Sequence, residues 1–138
     1  MVMKVANILK IKGLAVKTVK PQETAQAFAN YLKDERIGAM IVSQDGAAVD
    51  GIISERDLAY GLATHGSKIS QMKVSELMTK VVISCEPNDD IEKVMNLMTQ
   101  RRIRHLPVKD SDKLVGIISI GDVVNLYLSQ RLMAIARI

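Results

Sequence analysis

A serine and an aspartate three residues apart occur twice in the chain, as Ser54/Asp57 and Ser119/Asp122, each directly after Gly-Ile-Ile. The apolar run before each pair reads as a buried strand and the residues after it as a helix, so both pairs fall where a strand gives way to a helix. Backbone N–H groups at such a turn suit a phosphate or a base edge, and a carboxylate can accept hydrogen bonds from both hydroxyls of a ribose. A purely structural role fits the same residues: the serine caps the helix and the aspartate strengthens its first turn through the dipole. Duplication favours neither role, because a duplicated cap would look the same.

Arginines are the second source of chemistry. Arg56 lies inside the first pair, and Arg101, Arg102, Arg104 and His105 cluster before the second. A guanidinium beside a ribose-holding carboxylate could take a phosphate bidentately; a solvated charged face is the alternative for both groups. Arg104 and His105 fall on either side of a strand start, so at most one of them easily faces a shared cleft. The copies differ here. Ile120-Gly121 stands where the first has Glu55-Arg56, and Gly38-Ala39 where the second has Arg104-His105. Two clefts of this kind would differ in affinity.

Catalytic layouts are hard to assemble. The chain has two histidines and one cysteine, and no nucleophile carries a signature such as Gly-x-Ser-x-Gly. Gly61 to Lys68 resembles a phosphate-binding loop, but its serine precedes its lysine and the segment follows a helix. Gly66 reads instead as a helix C-cap with His65 in the last turn, and Cys85 as a small buried hydrophobe. We expect no enzyme and no metal centre.

The elements that must position the two pairs form an internal repeat. Pro21 and Pro87, 66 residues apart, each open a polar turn and then a helical apolar face: Ala25, Phe28, Ala29 and Leu32 in one copy, Ile91, Val94, Met95 and Met98 in the other. The same separation carries Arg36–Val42 onto Arg102–Val108, and a separation of 65 carries Gly51–Asp57 onto Gly116–Asp122. Such a repeat implies one supersecondary unit used twice. Each copy reads as a short strand (16–19 and 81–83), a helix, a strand hairpin and a closing helix, the last running from about Asp122 to Arg137. A short helix at Val74–Met78 has a looser counterpart at Val5–Leu9, and residues 67 to 73 read as the link. Neither copy has a comfortable core alone, so packing the two together is expected.

With 48% hydrophobic and 25% charged residues, ordinary folding is expected. No run is long enough to span a membrane and the start has no secretory pattern, so the cytoplasm is the expected compartment. A formal charge of +4 favours anions generally. Nucleic acid is disfavoured: with no Trp, one Phe and three Tyr, a base-stacking surface is poorly supplied.

The paired blocks resemble the CBS-domain family in its stand-alone tandem form, the Bateman module. The likeness rests on Arg104-His105-Leu106-Pro107-Val108 followed by Leu114 to Asp122, and on Gly38 to Val42 followed by Gly51 to Leu58. It implies an α/β (α+β) fold of two repeated β-α-β-β-α CBS units about a pseudo-twofold axis. The first motif would span 1–70 with an N-terminal extension, the second 71–138 with a C-terminal helix. It further implies a non-catalytic regulatory or energy-sensing module that binds AMP, ADP, ATP, NAD(H) or S-adenosylmethionine in clefts between the motifs. Asp57 and Asp122 would hold ribose hydroxyls with help from Ser54 and Ser119. Arg56, Arg104 and His105 would approach phosphates, while Thr18 and Ser84 would line the adenine region. Val19, Met40, Ile41, Leu106 and Pro107 would grip the base. A homodimer and a regulated partner protein are also implied; a scaffold with no specific ligand is the competing expectation.

Overall fold

A computed structural model describes residues 2–13 and 16–136. It divides into two compact units: Lys17–Val82, and Met1–Val16 together with Ile83–Ile138. These spatial units do not coincide with the sequence halves 1–70 and 71–138.

In the unit 17–82, β1 (Thr18–Val19) lies parallel to β2 (Ala39–Val42), which pairs antiparallel with β3 (Gly51–Ser54). Helix α2 (Ala25–Glu35) joins β1 to β2. Thr24 begins it by accepting the Ala27 N–H at 3.1 Å, and Arg36 ends it in the left-handed conformation, φ 54°. Helix α3 (Glu55–His65) follows β3 and stops at Gly66, φ 62°, whose N–H donates to the Leu62 carbonyl. The expected C-cap is therefore present. The stretch 67–73, expected to be a plain link, continues as a 3-10 turn (Gly66–Gln71), with Ile69 packed against Gly61 of α3. Helix α4 (Val74–Leu77) then docks on the Pro21 turn, Val74 N–H donating to the Glu23 carbonyl and Ser75 N–H to that of Pro21. Val19, Phe28, Met40, Val42, Ile53 and Val74 form this unit's core.

The other unit repeats the plan. Helix α5 (Ile91–Arg101) starts at Asp90, whose carboxylate accepts the Glu92 N–H at 2.9 Å, and ends at Arg102 with φ 55°. Strands β4 (His105–Asp110) and β5 (Lys113–Ser119) form an antiparallel hairpin, closed by Ser111 and Asp112, both with positive φ. That tight turn matches the right-handed twist of its strands and replaces the longer loop of the first copy. Helix α6 (Ile120–Ala136) follows; its expected end at Arg137 lies outside the described residues. One expected element is corrected. The strand anticipated at 81–83 does not form, and Val81 is 88% exposed. Its place is taken by a single parallel bridge from Cys85 to Val108, 66 residues beyond the Val19–Val42 pair.

This unit's counterpart of α4 comes from the start of the chain. Helix α1 (Val5–Lys12) docks on the Pro87 turn as α4 docks on the Pro21 turn, with Val5 N–H donating to the Asp89 carbonyl and Ala6 N–H to that of Pro87. Val5, Ile8 and Leu9 join Ile91, Val94, Leu106 and Ile118 in the core. Each motif is thus completed by the helix that precedes the other one in sequence.

Candidate ligand-binding site

In both copies the Gly-Ile-Ile-Ser strand delivers its serine to the first turn of the following helix, and there Ser and Asp close on each other. Ser54 N–H donates to Asp57 Oδ2 at 2.8 Å, with the Ser54 hydroxyl 3.3 Å from the same oxygen. Ser119 N–H donates to Asp122 Oδ2 at 2.8 Å, and Asp122 N–H donates back to Ser119 Oγ at 3.1 Å. These are capping boxes, which satisfy the orphan donors of a helix start. The capping role of the two pairs is therefore realised. The hydrogen bonds that hold the two carboxylates in their caps converge on Oδ2 of each.

The two carboxylates are electrostatically unlike. Burial pushes the Asp57 carboxyl above its ordinary value, against the two Ser54 hydrogen bonds and the charge of Arg56. Burial acts on Asp122 as well, but the hydrogen bond and charge of Lys12, together with Ser119, outweigh it and hold that carboxyl low. Lys12 comes from the last turn of α1; its ammonium lies 2.9 Å from Asp122 Oδ2 and donates to the Ile117 carbonyl at 2.9 Å. This contact spans 110 residues of sequence and was not expected.

Strand register sorts the remaining expected residues by face, since successive side chains alternate across a sheet. In the first copy, Val19, Met40, Val42 and Ile53 point into the core, which leaves Thr18, Ala39, Ile41, Ile52 and Ser54 on the other face. In the second, Leu106, Val108, Ile118 and Cys85 point into the core, and His105, Pro107, Ile117 and Ser119 lie opposite, with Ser84 next to the Cys85 bridge. Thr18, Ile41, Ser54 and Asp57 are thus brought to one side of their unit. His105, Pro107, Ser119 and Asp122 are brought together likewise, His105 standing directly across from Ser119. Three expectations are corrected: the side chains of Val19, Met40 and Leu106 face the core at 0%, 1% and 0% exposure, while Ile41 and Pro107, on the opposite faces, are buried as well. Arg56 is exposed in the first turn of α3, and Arg104 is exposed just before β4, where its carbonyl accepts the Ile120 N–H at 2.8 Å.

Cys85 is buried, and burial pushes its thiol up to about 12, so it is no nucleophile at neutral pH. Among the described residues no group of His, Cys, Asp or Glu is placed to hold a metal ion, and no helix is long and apolar enough to cross a membrane.

Two repeated units, each ending a short sheet in a serine–aspartate turn, define the class. The CBS domain family model matches residues 11–64 and 74–129, and the chain belongs to the CBS-domain family as a tandem pair. It is 37% identical over 107 residues to the CBS domain-containing protein YhcV of Bacillus subtilis, across 78% of this chain and 75% of that one. The crystal structure of the CBS-domain containing protein ATU1752 from Agrobacterium tumefaciens superposes with a TM-score of 0.87 at 41% identity, covering 91% of this chain and 99% of that one. The CBS domain pair of protein MJ0100, solved in complex with 5'-methylthioadenosine and S-adenosyl-L-methionine, shares the fold with a TM-score of 0.78 at 22% identity, covering 94% and 99%. CBS domains act as non-catalytic regulatory modules.

Proposed function

We propose that this chain is a regulatory module that binds adenosine-containing ligands, such as AMP, ADP, ATP, NAD(H) or S-adenosylmethionine, through the strand-to-helix turn of each motif. The observation that carries this reading is the duplicated carboxylate at a strand-to-helix turn, oriented in each copy by a serine N–H on its Oδ2. A carboxylate held in this way is oriented before a ribose diol arrives, which lowers the ordering cost of binding. Asp57 and Asp122 would hold the sugar, with Ser54 and Ser119 behind them. Thr18 and Ser84 would line the base, with the buried Ile41 and Pro107 on the non-core faces of the same sheets. Arg56, Arg104 and His105 would meet phosphates. The ligands seen with the MJ0100 pair contain adenosine, which supports adenosine-containing ligands over anions in general. Ligand occupancy would be read out by a regulated protein or by the module's own assembly as a homodimer, in the cytoplasm.

A thermal-shift panel tests the reading. A ligand at a hundred times its Kd adds about 2.7 kcal/mol to the folded state, a shift of several degrees in Tm. We expect at least one of AMP, ATP, NADH and S-adenosylmethionine to raise Tm at millimolar concentration, and Asp57→Ala and Asp122→Ala each to reduce the shift. A flat panel on the wild-type chain would reject ligand binding; undiminished shifts in both variants would reject the two aspartates. The rival reading, a scaffold without a specific ligand, draws on the capping boxes, which by themselves give both serine–aspartate pairs a structural role, and predicts that flat panel.

A further inference from the structure

The two carboxylates offer a sugar different numbers of oxygen atoms. Asp57 Oδ2 is held by one short bond from the Ser54 backbone and one long contact from a hydroxyl that is able to rotate away. A diol can therefore reach both oxygens of Asp57. Asp122 Oδ2 is already met by two strong donors at 2.8 and 2.9 Å, the Ser119 N–H and the Lys12 ammonium. A carboxylate oxygen accepts about two such bonds, so the grip in which each oxygen takes one hydroxyl of a diol opens at Asp122 only when Lys12 withdraws.

The first motif has no counterpart to this lysine. Lys12 stands seven residues after Val5 in α1; seven residues after Val74 of the matching helix stands Val81, an exposed apolar side chain. Within α1, Val5, Ile8 and Leu9 are anchored in the core, whereas Lys10 and Ile11 are exposed, so Lys12 is the side chain that ties the last turn down.

We propose that Lys12 sets the ligand preference of the second motif, selecting against uncharged nucleosides and for nucleotides. This rests on the reading that Asp122 is a sugar-binding group. A neutral nucleoside that displaces Lys12 breaks a charge-assisted bond and gives the ammonium nothing in return. A nucleotide breaks the same bond but offers its phosphate as a new partner within the swing of a flexible four-carbon stem. Preference arises from that difference, independently of how tightly either ligand binds.

Calorimetric titration of the full chain with AMP and with adenosine tests this. Asp57→Ala leaves only the second carboxylate, and in that background we expect AMP to bind at least tenfold more tightly than adenosine. Adding Lys12→Met should cut this ratio at least threefold by strengthening adenosine, while Lys12→Arg should keep it; far-UV circular dichroism checks that each variant is folded. A ratio unmoved by Lys12→Met overturns the role of Lys12 and leaves the functional reading standing. Binding seen in the wild-type chain but lost in Asp57→Ala overturns it too, since the second carboxylate then takes no ligand. Absence of binding by the wild-type chain removes the functional reading, and this inference with it.

Discussion

Lys12 and Asp122 form an ion pair that is only partly shielded from water, with side-chain exposures of 38% and 25%. Screening limits such a pair to about 1 kcal/mol or less, so Lys12→Met should lower stability by that amount in urea titration. The pH dependence separates the two carboxylates. The folded value of Asp122 lies below its ordinary one near 3.9, so its stabilisation is full above about pH 4 and is lost as the pH falls through the folded value. Asp57 is raised, so its ionised form disfavours the fold, and protonation relieves it as the pH falls through the folded value. Urea midpoints measured down the acid limb should fall less steeply in Asp122→Asn and more steeply in Asp57→Asn; the reverse order would contradict the assigned environments. The serine–aspartate pairs were legible in the sequence because they repeat at fixed spacing. Lys12 was not, because its partner lies 110 residues away; the only available signal was a charge in α1 where the matching stretch has Val81. Val19, Met40 and Leu106 were assigned to a ligand by the family resemblance, and a strand such as Ala39–Val42, buried on both faces, shows no alternation by which the sequence could have sorted them.

At the level of elements, the exchanged helices meet the sheets at glycines. A Cβ on Gly116 would fall 2.5 Å from Leu9 Cδ2 of α1, and one on Gly51 would fall 2.6 Å from Met78 Sδ and 2.9 Å from the Thr79 carbonyl oxygen. Leu9 has a flexible end that can yield; the Thr79 backbone cannot. Gly51→Ala should therefore cost about 1–3 kcal/mol, in the range of overpacked cores, and Gly116→Ala clearly less, as thermal or urea unfolding will show. The exchange also dictates where damage spreads. Val5→Ala should speed amide hydrogen exchange in 85–126 and leave 18–77 protected, whereas Val74→Ala should do the opposite; faster exchange confined to each residue's own sequence half would contradict the pairing. The helices and hairpins could be read from spacing, since Pro21 and Pro87 fixed the frame. The misplaced strand at 81–83 shows how a β-branched run misleads when it is judged alone. Carrying Val19 forward by the helix spacing of 66 leads to Cys85, the residue that does pair.

For the whole molecule, the proposed homodimer has a candidate surface on α6. Leu128, Leu132 and Ile135, spaced four and three apart on one helical face, are 51%, 66% and 64% exposed. Light scattering on the wild-type chain should give twice the chain mass, and Leu132→Glu should reduce it to one; a monomeric wild type would end the dimer proposal. The family fold was legible over nearly the whole length, whereas the pairing of segments into units was not, because sequence repeats run in order and the packing does not. One unit is encoded without interruption from Lys17 to Val82, and the other is written in two pieces on either side of it. In genetic terms the first motif is a cassette inserted inside the second. A recombination breakpoint near residue 70 would hand each motif the wrong helix, while excision of 17–82 would remove one motif whole and leave every part of the other in the message.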